Sequence, residues 1–154
     1  MPWQALIADV AGELLPDTGL PAYREVRVTV PRQSGKTSLI LVVEVDRCLA
    51  WGHGQRCLYA AQDRNNSRLK WEEQTALLRD SKLAGLFRVR RQTGLERTEW
   101  LPTASTVGFT ASTETSGHGF DLDLGQIDEA WSQRDARLVQ AFRPAMMARP
   151  AAQM

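Results

Sequence analysis

Residues Gly35, Lys36 and Thr37 have the types and spacing that bind a phosphate group. They match the end of the Walker A loop, G-x-x-x-x-G-K-[ST], in which the glycine lets the backbone approach a phosphate. Lys36 would reach the β- and γ-phosphates of a nucleotide, and the Thr37 hydroxyl would bind Mg²⁺. The first glycine of the pattern is missing, because Val30 occupies its position. Such a short triplet also arises by chance, so the surrounding elements must decide.

A second group of chemically useful residues is the acid pair Asp128 and Glu129, which ends the stretch LGQIDE. A Walker B site is an apolar strand that ends in an acid and lies beside the phosphate-loop strand. Asp128 would hold Mg²⁺ there, and Glu129 would orient and deprotonate the attacking water. Alternatively, the two acids begin a helix whose dipole stabilises them. Taken together, the loop and the acid pair predict machinery for ATP hydrolysis.

A phosphate loop must lie between a strand and a helix, because the helix N-terminus supplies the amide donors. The stretch EVRVTV alternates and is β-branched, which predicts a strand at Glu25–Val30. The apolar run after the loop has β propensity, but the motif requires a helix there. We therefore predict a helix from Lys36 to about Trp51 that is apolar on most sides and buried.

The other elements follow from periodicity. The N-terminal stretch has helical spacing at Leu6, Val10 and Leu14. The middle of the chain predicts, in order, a buried strand at Cys57–Gln62, a helix capped by Asn65 or Asn66, a hairpin around Thr93–Gly94, a strand in STVGFTAS and a strand in DLDLGQI.

The last predicted element is a helix that starts at a Ser132 cap, in which Pro144 predicts a kink or a stop near Arg143. Its apolar face comprises Leu138, Val139, Phe142 and Met146. Crossover helices between buried strands predict an α/β fold. Together with the loop, this order indicates a three-layer α/β/α P-loop NTPase with a mostly parallel sheet and a β-hairpin insertion.

Length and composition are those of an ordinary globular protein. The 154 residues predict one domain, and no apolar run approaches the length of a membrane span. The N-terminus lacks the basic region and cleavage site of a signal peptide, which favours the cytoplasm. A net charge of +1 predicts no polyanion partner by itself. However, residues 64–97 carry nine Lys/Arg and four Asp/Glu, so this basic middle either faces DNA or forms a solvated surface.

The cysteines and histidines are too few and too widely spaced for a zinc site. Cys48 and Cys57 form no CxxC pair, and the histidines are His53 and His118. We expect buried free thiols rather than a disulfide, because the predicted compartment is reducing. His118 is more consistent with a loop residue without function than with a catalytic base.

The segments VPRQSGKTS and IDEAW resemble the ATPase domain of the large terminase subunit, the motor that packages DNA in tailed bacteriophages. In that family the first glycine is commonly absent, and an Arg-Gln pair precedes the small residue and Gly-Lys-Thr. The segment PWQ at residues 2–4 is similar to the family's adenine-contacting segment. LYAAQDRNNS and FTASTETSGHGFDLDLGQIDEA are similar to the segments around its later strands. The resemblance spans Pro2 to about Pro150.

The resemblance implies roles for individual residues, with ATP and Mg²⁺ as cofactors. It implies a base-reading role for Gln4 and a γ-phosphate contact or sensor for Arg32. The implied catalytic residues are Glu129, Lys36 and Arg32. The implied nucleotide-binding residues are Gln4, Arg32, Gln33, Ser34, Gly35, Lys36 and Thr37. The implied Mg²⁺ ligands are Thr37 and Asp128.

The resemblance also implies partners and domain organisation. Residues 1–154 would form a single, partial P-loop ATPase domain, without the coupling motif and the nuclease domain of the family. The partners would be double-stranded phage DNA, the portal protein and the small terminase subunit, with a homo-oligomeric ring at full length and no membrane. The location would be the host cytoplasm. In the ring, a neighbouring subunit would supply an arginine to each site, with Arg64, Arg97 and Arg134 as candidates.

Several alternatives stay open at this point. The chain could be another nucleic-acid-dependent P-loop ATPase, such as a helicase, because these share the loop and the acid pair. It could also be a truncated, non-catalytic remnant that keeps the fold. Arg32 could be an ordinary exposed loop residue, and Gln4 an ordinary surface residue near a frayed terminus.

Overall fold

The computed structural model describes residues 2–31, 33–92, 94–110, 121–130 and 137–154. The helices are α1 (Pro2–Ala11), α2 (Lys36–Ala50), α3 (Arg64–Arg79) and α4 (Arg137–Met146), with a short 3₁₀ turn at Ala84–Leu86. The strands are β1 (Arg56–Ala60), β2 (Phe87–Arg90), β3 (Arg97–Trp100), β4 (Ser105–Thr110) and β5 (Leu124–Ile127). None of the helices in these ranges has the length and hydropathy of a membrane span.

The strands form one sheet in the order β2-β3-β4-β1-β5. The central strand β1 pairs in parallel with β4 and β5, whereas β2 and β3 form an antiparallel hairpin that extends the sheet beyond β4. Because the carboxyl ends of parallel strands meet at one edge, the residues after β1 and β5 lie close together. The predicted α/β fold with a hairpin insertion is confirmed.

Helices cover both faces of the sheet. One face packs against α2 and α3 through a core that comprises Cys48, Leu78, Phe87, Trp100, Val107 and Leu124. The opposite face of β1 and β5 packs against α4 through a second core that comprises Ala60, Leu122, Leu138, Phe142 and Met146. This confirms the predicted apolar face of the last helix, although Val139 is only half-buried.

The buried strand β5 contains a glycine, Gly125, which is unusual inside a strand. A Cβ at this position would lie 2.5 Å from Phe142 Cδ2, so any larger residue would push α4 away from β5. A glycine in a strand therefore marks close packing here.

The predicted strand at Glu25–Val30 is wrong, since the structure has no regular strand there. Only the start of this segment finds a backbone partner. Val26 N donates to Met154 O at 2.8 Å, and Met154 N donates to Arg24 O at 2.8 Å, in the pattern of a parallel pair. Residues that favour strands form one only where a neighbour accepts their hydrogen bonds.

Three predictions of helix details also need correction. Asp63, rather than Asn65 or Asn66, caps α3, because its Oδ1 accepts a 2.8 Å bond from Asn66 N. The predicted stop near Arg143 is wrong, because the last helix continues through Pro144 to Met146. A proline so near the C-terminus removes a single backbone bond. Helix α1 ends at Ala11, so Leu14 lies outside it, and Leu6 and Val10 are exposed. Ser132 and Thr93 lie outside the described residues.

The two cysteines are buried free thiols, as predicted. The spacing of the two cysteines in the sequence did not predict that their thiols lie close together. Cys48 Sγ on α2 lies 3.7 Å from Cys57 Sγ on β1. Burial raises the pKa of the Cys57 thiol, which keeps it protonated and unreactive.

Gln153 joins the sheet to the layer that carries the phosphate loop. Its backbone extends the sheet beyond β5, because Gln153 N donates to Asp123 O at 3.0 Å and Gly125 N donates to Gln153 O at 2.9 Å. Its side-chain Nε2 donates to Ala11 O at 2.8 Å and to Tyr23 O at 2.9 Å. These contacts connect β5 with the end of α1 and with the segment that leads into the loop.

The side-chain oxygen of Gln153 also pairs with a buried charge. Gln153 Oε1 accepts a hydrogen bond from Arg47 Nη2 on α2. Arg47 is fully buried, and it also donates to Ala151 O at 2.9 Å and lies over the ring of Trp51. Burial lowers the pKa of Arg47, and these partners offset part of the cost of burying its charge.

We predict that Gln153→Ala destabilises the protein by about 2–4 kcal/mol. The change removes one partner of a buried guanidinium and leaves the carbonyls of Ala11 and Tyr23 without the Gln153 donor. Urea denaturation followed by circular dichroism measures the effect. The matched control is Gln92→Ala, because Gln92 is exposed. Equal stability of the two variants would contradict the role of Gln153.

Glu44 is a second buried ionisable group, on the face of α2 that meets α3 and the sheet. Its Oε1 has no hydrogen-bond partner among the described residues, and it lies near Gln74 and Trp100. Burial raises the pKa of Glu44 from 4.5 to about 8. The carboxyl is therefore protonated in the folded protein near neutral pH.

The raised pKa of Glu44 predicts that stability falls as the pH rises. The unfolded chain ionises near pH 4.5, so the folded state gains stability by holding the proton. This stability is complete below that pH and is lost as the pH rises through about 8. We expect the melting temperature to drop between about pH 4.5 and about pH 8 in the wild type and to change much less in Glu44→Gln. Glu73→Gln, at an exposed position of α3, should behave like the wild type.

Candidate functional site

The loop before α2 has a backbone shaped to receive an anion. Gln33 and Gly35 have positive φ values of 59° and 87°, and Ser34 between them does not. Successive residues of alternating hand turn their N–H groups toward a common point, which forms an anion-binding nest. Ser34 Oγ donates to Pro31 O at 2.7 Å and closes the turn. Because α2 begins at Lys36, its free N-terminal amides face the same point.

Gln4 contacts this loop from α1. Its Nε2 donates to Gly35 O at 2.8 Å, and a Cβ at Gly35 would lie 2.9 Å from the same nitrogen. Both the positive φ and this close approach therefore require glycine at position 35. The structure brings Gln4 to the predicted site, where its amide meets the loop backbone.

The acid pair lies in a turn directly after β5, as predicted, and not within a helix. Asp128 N donates to Ala60 O at 2.8 Å, which fixes the turn to the end of β1. Glu129 N donates to Asp128 Oδ1 at 2.8 Å, so the backbone of one acid binds the carboxylate of the other. Glu129 has a positive φ of 52°, a strained conformation that often marks a functional position.

Tyr59 is a member of the site that the sequence did not indicate. Its hydroxyl donates to Asp128 Oδ2 at 3.0 Å, and the ring is buried. Burial and the Asp128 carboxylate both raise the pKa of Tyr59, so the hydroxyl keeps its proton and stays a donor. The parallel register pairs Tyr59 with Gln126, and Asp128 lies two residues after Gln126. The side chains of Tyr59 and Asp128 therefore lie on the same face. Strand alternation offered the signal, but only once the pairing was known.

Gln126 connects the acid pair with the loop. Its Nε2 donates to Ile40 O at 3.1 Å, within the turn of α2 that follows Lys36 and Thr37. Both of these loop residues are half-buried. This bond holds β5, which the acid pair follows, against α2, which the loop precedes.

Three residues singled out in the sequence, Arg32, His118 and Arg134, lie outside the described residues. Arg64 and Arg97, candidates for a neighbouring site, are engaged within the chain. Arg64 pairs with Glu96 at 3.0 Å, and Arg97 pairs with Glu99 at 2.8 Å.

Few protein groups at this site could bind a cation. Within the described ranges, no cluster of three or more His, Cys, Asp or Glu could bind a metal. The ligands that the sequence predicts, Asp128 and Thr37, would offer a carboxylate and a hydroxyl oxygen. This donor set fits Mg²⁺, which usually takes one or two protein oxygens together with waters and substrate phosphates.

No protein-family model and no curated protein matches the sequence. Solved structures do match the fold. The large terminase of bacteriophage HK97 aligns with a TM-score of 0.72 and 15% identity, over 96% of this chain and 36% of that one. The large terminase ATPase domain of Thermus phage P74-26 aligns with a TM-score of 0.66 and 15% identity, over 96% of this chain and 66% of that one. A mutant form of that domain aligns similarly, with a TM-score of 0.65 and 16% identity.

The chain therefore spans about a third of the HK97 protein and about two thirds of the Thermus phage domain. At this level of identity the likeness concerns the fold. The chain has the α/β fold of the ATPase domains of phage large terminases.

Proposed function

We propose that this chain is the ATPase motor domain of a phage DNA-packaging terminase, which couples ATP hydrolysis to the translocation of double-stranded DNA into a capsid. One observation supports this most strongly. The anion-binding loop at the start of α2 and the acid pair after β5 are held together by the bond from Gln126 to Ile40. The shared fold with phage terminase ATPase domains adds independent support.

In this proposal the loop binds the phosphates of ATP. The backbone amides of residues 33–37 donate to the phosphate oxygens, and Lys36 neutralises charge on the β- and γ-phosphates. Arg32 contacts the γ-phosphate or senses its loss. Gln4, already bound to the loop, contacts the adenine and would report nucleotide binding to α1.

Asp128 and Thr37 are the proposed ligands of Mg²⁺. The ion, when bound, would offset negative charge on the β- and γ-phosphates. Tyr59 is a positioning residue, because its hydroxyl donates to one carboxylate oxygen of Asp128 and restricts the orientation of the carboxylate.

Glu129 is the proposed general base. Its carboxylate would accept a proton from the water that attacks the γ-phosphate. The bond from Glu129 N to Asp128 Oδ1 holds the backbone of the proposed base next to the proposed metal ligand.

The proposed partners are duplex phage DNA, the portal protein, the small terminase subunit and further copies of this chain in a ring, in the host cytoplasm. An arginine from a neighbouring copy would complete each site. Of the candidates Arg64 and Arg97, each would have to leave a carboxylate partner in its own chain to do so.

We predict that Lys36→Ala weakens binding of a fluorescent ATP analogue with Mg²⁺ about 10–100-fold, because a charge-assisted contact to phosphate is lost. Lys70→Ala is the control, since Lys70 lies on α3 and pairs with Glu73 at 2.8 Å. Equal affinities of the wild type and Lys36→Ala would refute the phosphate site.

We predict that Tyr59→Phe raises the Mg²⁺ concentration needed for half-maximal analogue binding about 10-fold or more, because Asp128 loses the donor that orients it. Binding without Mg²⁺ should stay unchanged. Tyr23→Phe, at an exposed position, serves as the control. An unchanged Mg²⁺ dependence in Tyr59→Phe would refute the positioning role of Tyr59.

A further inference from the structure

One face of the sheet is rich in arginine at strands that none of the described helices covers on that side. On β2, β3 and β4, the residues Phe87, Trp100 and Val107 point into the core with α2 and α3. Since side chains alternate along a strand, their neighbours point to the opposite face. Within the described ranges, α4 covers that face at β5 and β1, where Phe142 lies over Gly125.

The strand register arranges the residues of this face in two rows. The first row is Arg88, Glu99, Thr106 and Arg56, and the second is Arg90, Arg97, Gly108 and Leu58. We call Arg56, Arg88, Arg90, Arg97 and Glu99 the basic sheet face. It carries four guanidinium groups and one carboxylate.

Glu99 holds three of these arginines in place. Its carboxylate accepts bonds from Arg88 at 2.9 Å, Arg90 at 3.1 Å and Arg97 at 3.0 Å. Burial alone would raise the pKa of Glu99, but the bonds from these arginines outweigh it and lower the pKa to about 2. The carboxylate is therefore ionised at any working pH, and it orders the guanidinium groups without neutralising them all.

The arginine side chains remain accessible. They are 55%, 50% and 39% exposed for Arg88, Arg90 and Arg97, whereas Glu99 is 14% exposed. Arg56 is exposed as well. The next acid along the first row, Asp123, is buried, and it accepts from Arg56 N and pairs with Arg149. The charge presented to solvent is thus strongly positive.

We propose that the basic sheet face binds the phosphate backbone of duplex DNA. Ordered, planar guanidinium groups suit phosphate oxygens. A sheet face does not enter a groove of the duplex, which predicts binding without base specificity. The proposal rests on the proposed function for the identity of the polymer. Arg88 and Arg90 lie on β2, four strand spacings or about 19 Å from β5, so substituting them should leave the nucleotide site intact.

The test compares two double variants that each remove two arginines sharing one glutamate. Arg88→Gln with Arg90→Gln alters the basic sheet face. The matched control is Arg27→Gln with Arg143→Gln, because both arginines are exposed and bind Glu25. Fluorescence anisotropy with a labelled duplex of about 30 base pairs, over a series of salt concentrations, gives the affinity and its salt dependence.

We expect the first variant to bind the duplex about 10-fold or more weakly than the wild type, with a salt slope lower by about 2. The control variant should bind like the wild type. Equal binding by the two variants, or no binding by the wild type at low salt, overturns the proposal. If sedimentation instead shows that the first variant loses self-association and that no form binds the duplex, the face joins copies of this chain and the proposal is likewise overturned.

The same samples separate this proposal from the proposed function. Binding of the fluorescent ATP analogue should be equal in all three proteins, because the substituted arginines lie away from the loop. If the analogue binds and the duplex does not, the basic sheet face is refuted while the nucleotide site stands. If the duplex binds through Arg88 and Arg90 but the ATP analogue does not bind, only the proposed nucleotide site is refuted.

Discussion

Gln153 fixes where the phosphate loop lies relative to the sheet. Its backbone continues the sheet beyond β5, and its side chain reaches the end of α1, Tyr23 and the buried Arg47 of α2. The elements on either side of the loop are thus tied to β5, the strand that Asp128 follows. Such a buried polar hub costs desolvation, and it is stable only because each of its groups has a partner.

The parts that the sequence predicts well are those set by local pattern. The motif Gly35-Lys36-Thr37 required a helix where propensity favoured a strand, and α2 forms there. The hairpin, the buried strand β1 and the acid pair after β5 also follow from alternation and turn signals. These features depend on residues that are close together in the chain, so they can be predicted from the sequence alone.

The parts that the sequence does not predict are set by contacts between distant residues. Glu25–Val30 has strand propensity, but only its first residues meet a partner, Met154. Tyr59 joins the site only because β1 pairs with β5 in one register. The basic sheet face likewise arises from pairing, since the hairpin brings Arg88 and Arg90 to one glutamate on the next strand.

The central claim is that the loop and the acid pair form one site for a nucleotide and a divalent cation. A crystal structure with a non-hydrolysable ATP analogue and Mn²⁺ in place of Mg²⁺ tests it most directly, because anomalous scattering locates the metal. The account predicts the phosphates at residues 33–37 and a Mn²⁺ peak beside Thr37 and Asp128. Phosphates bound elsewhere, or a metal peak away from both residues, would contradict it.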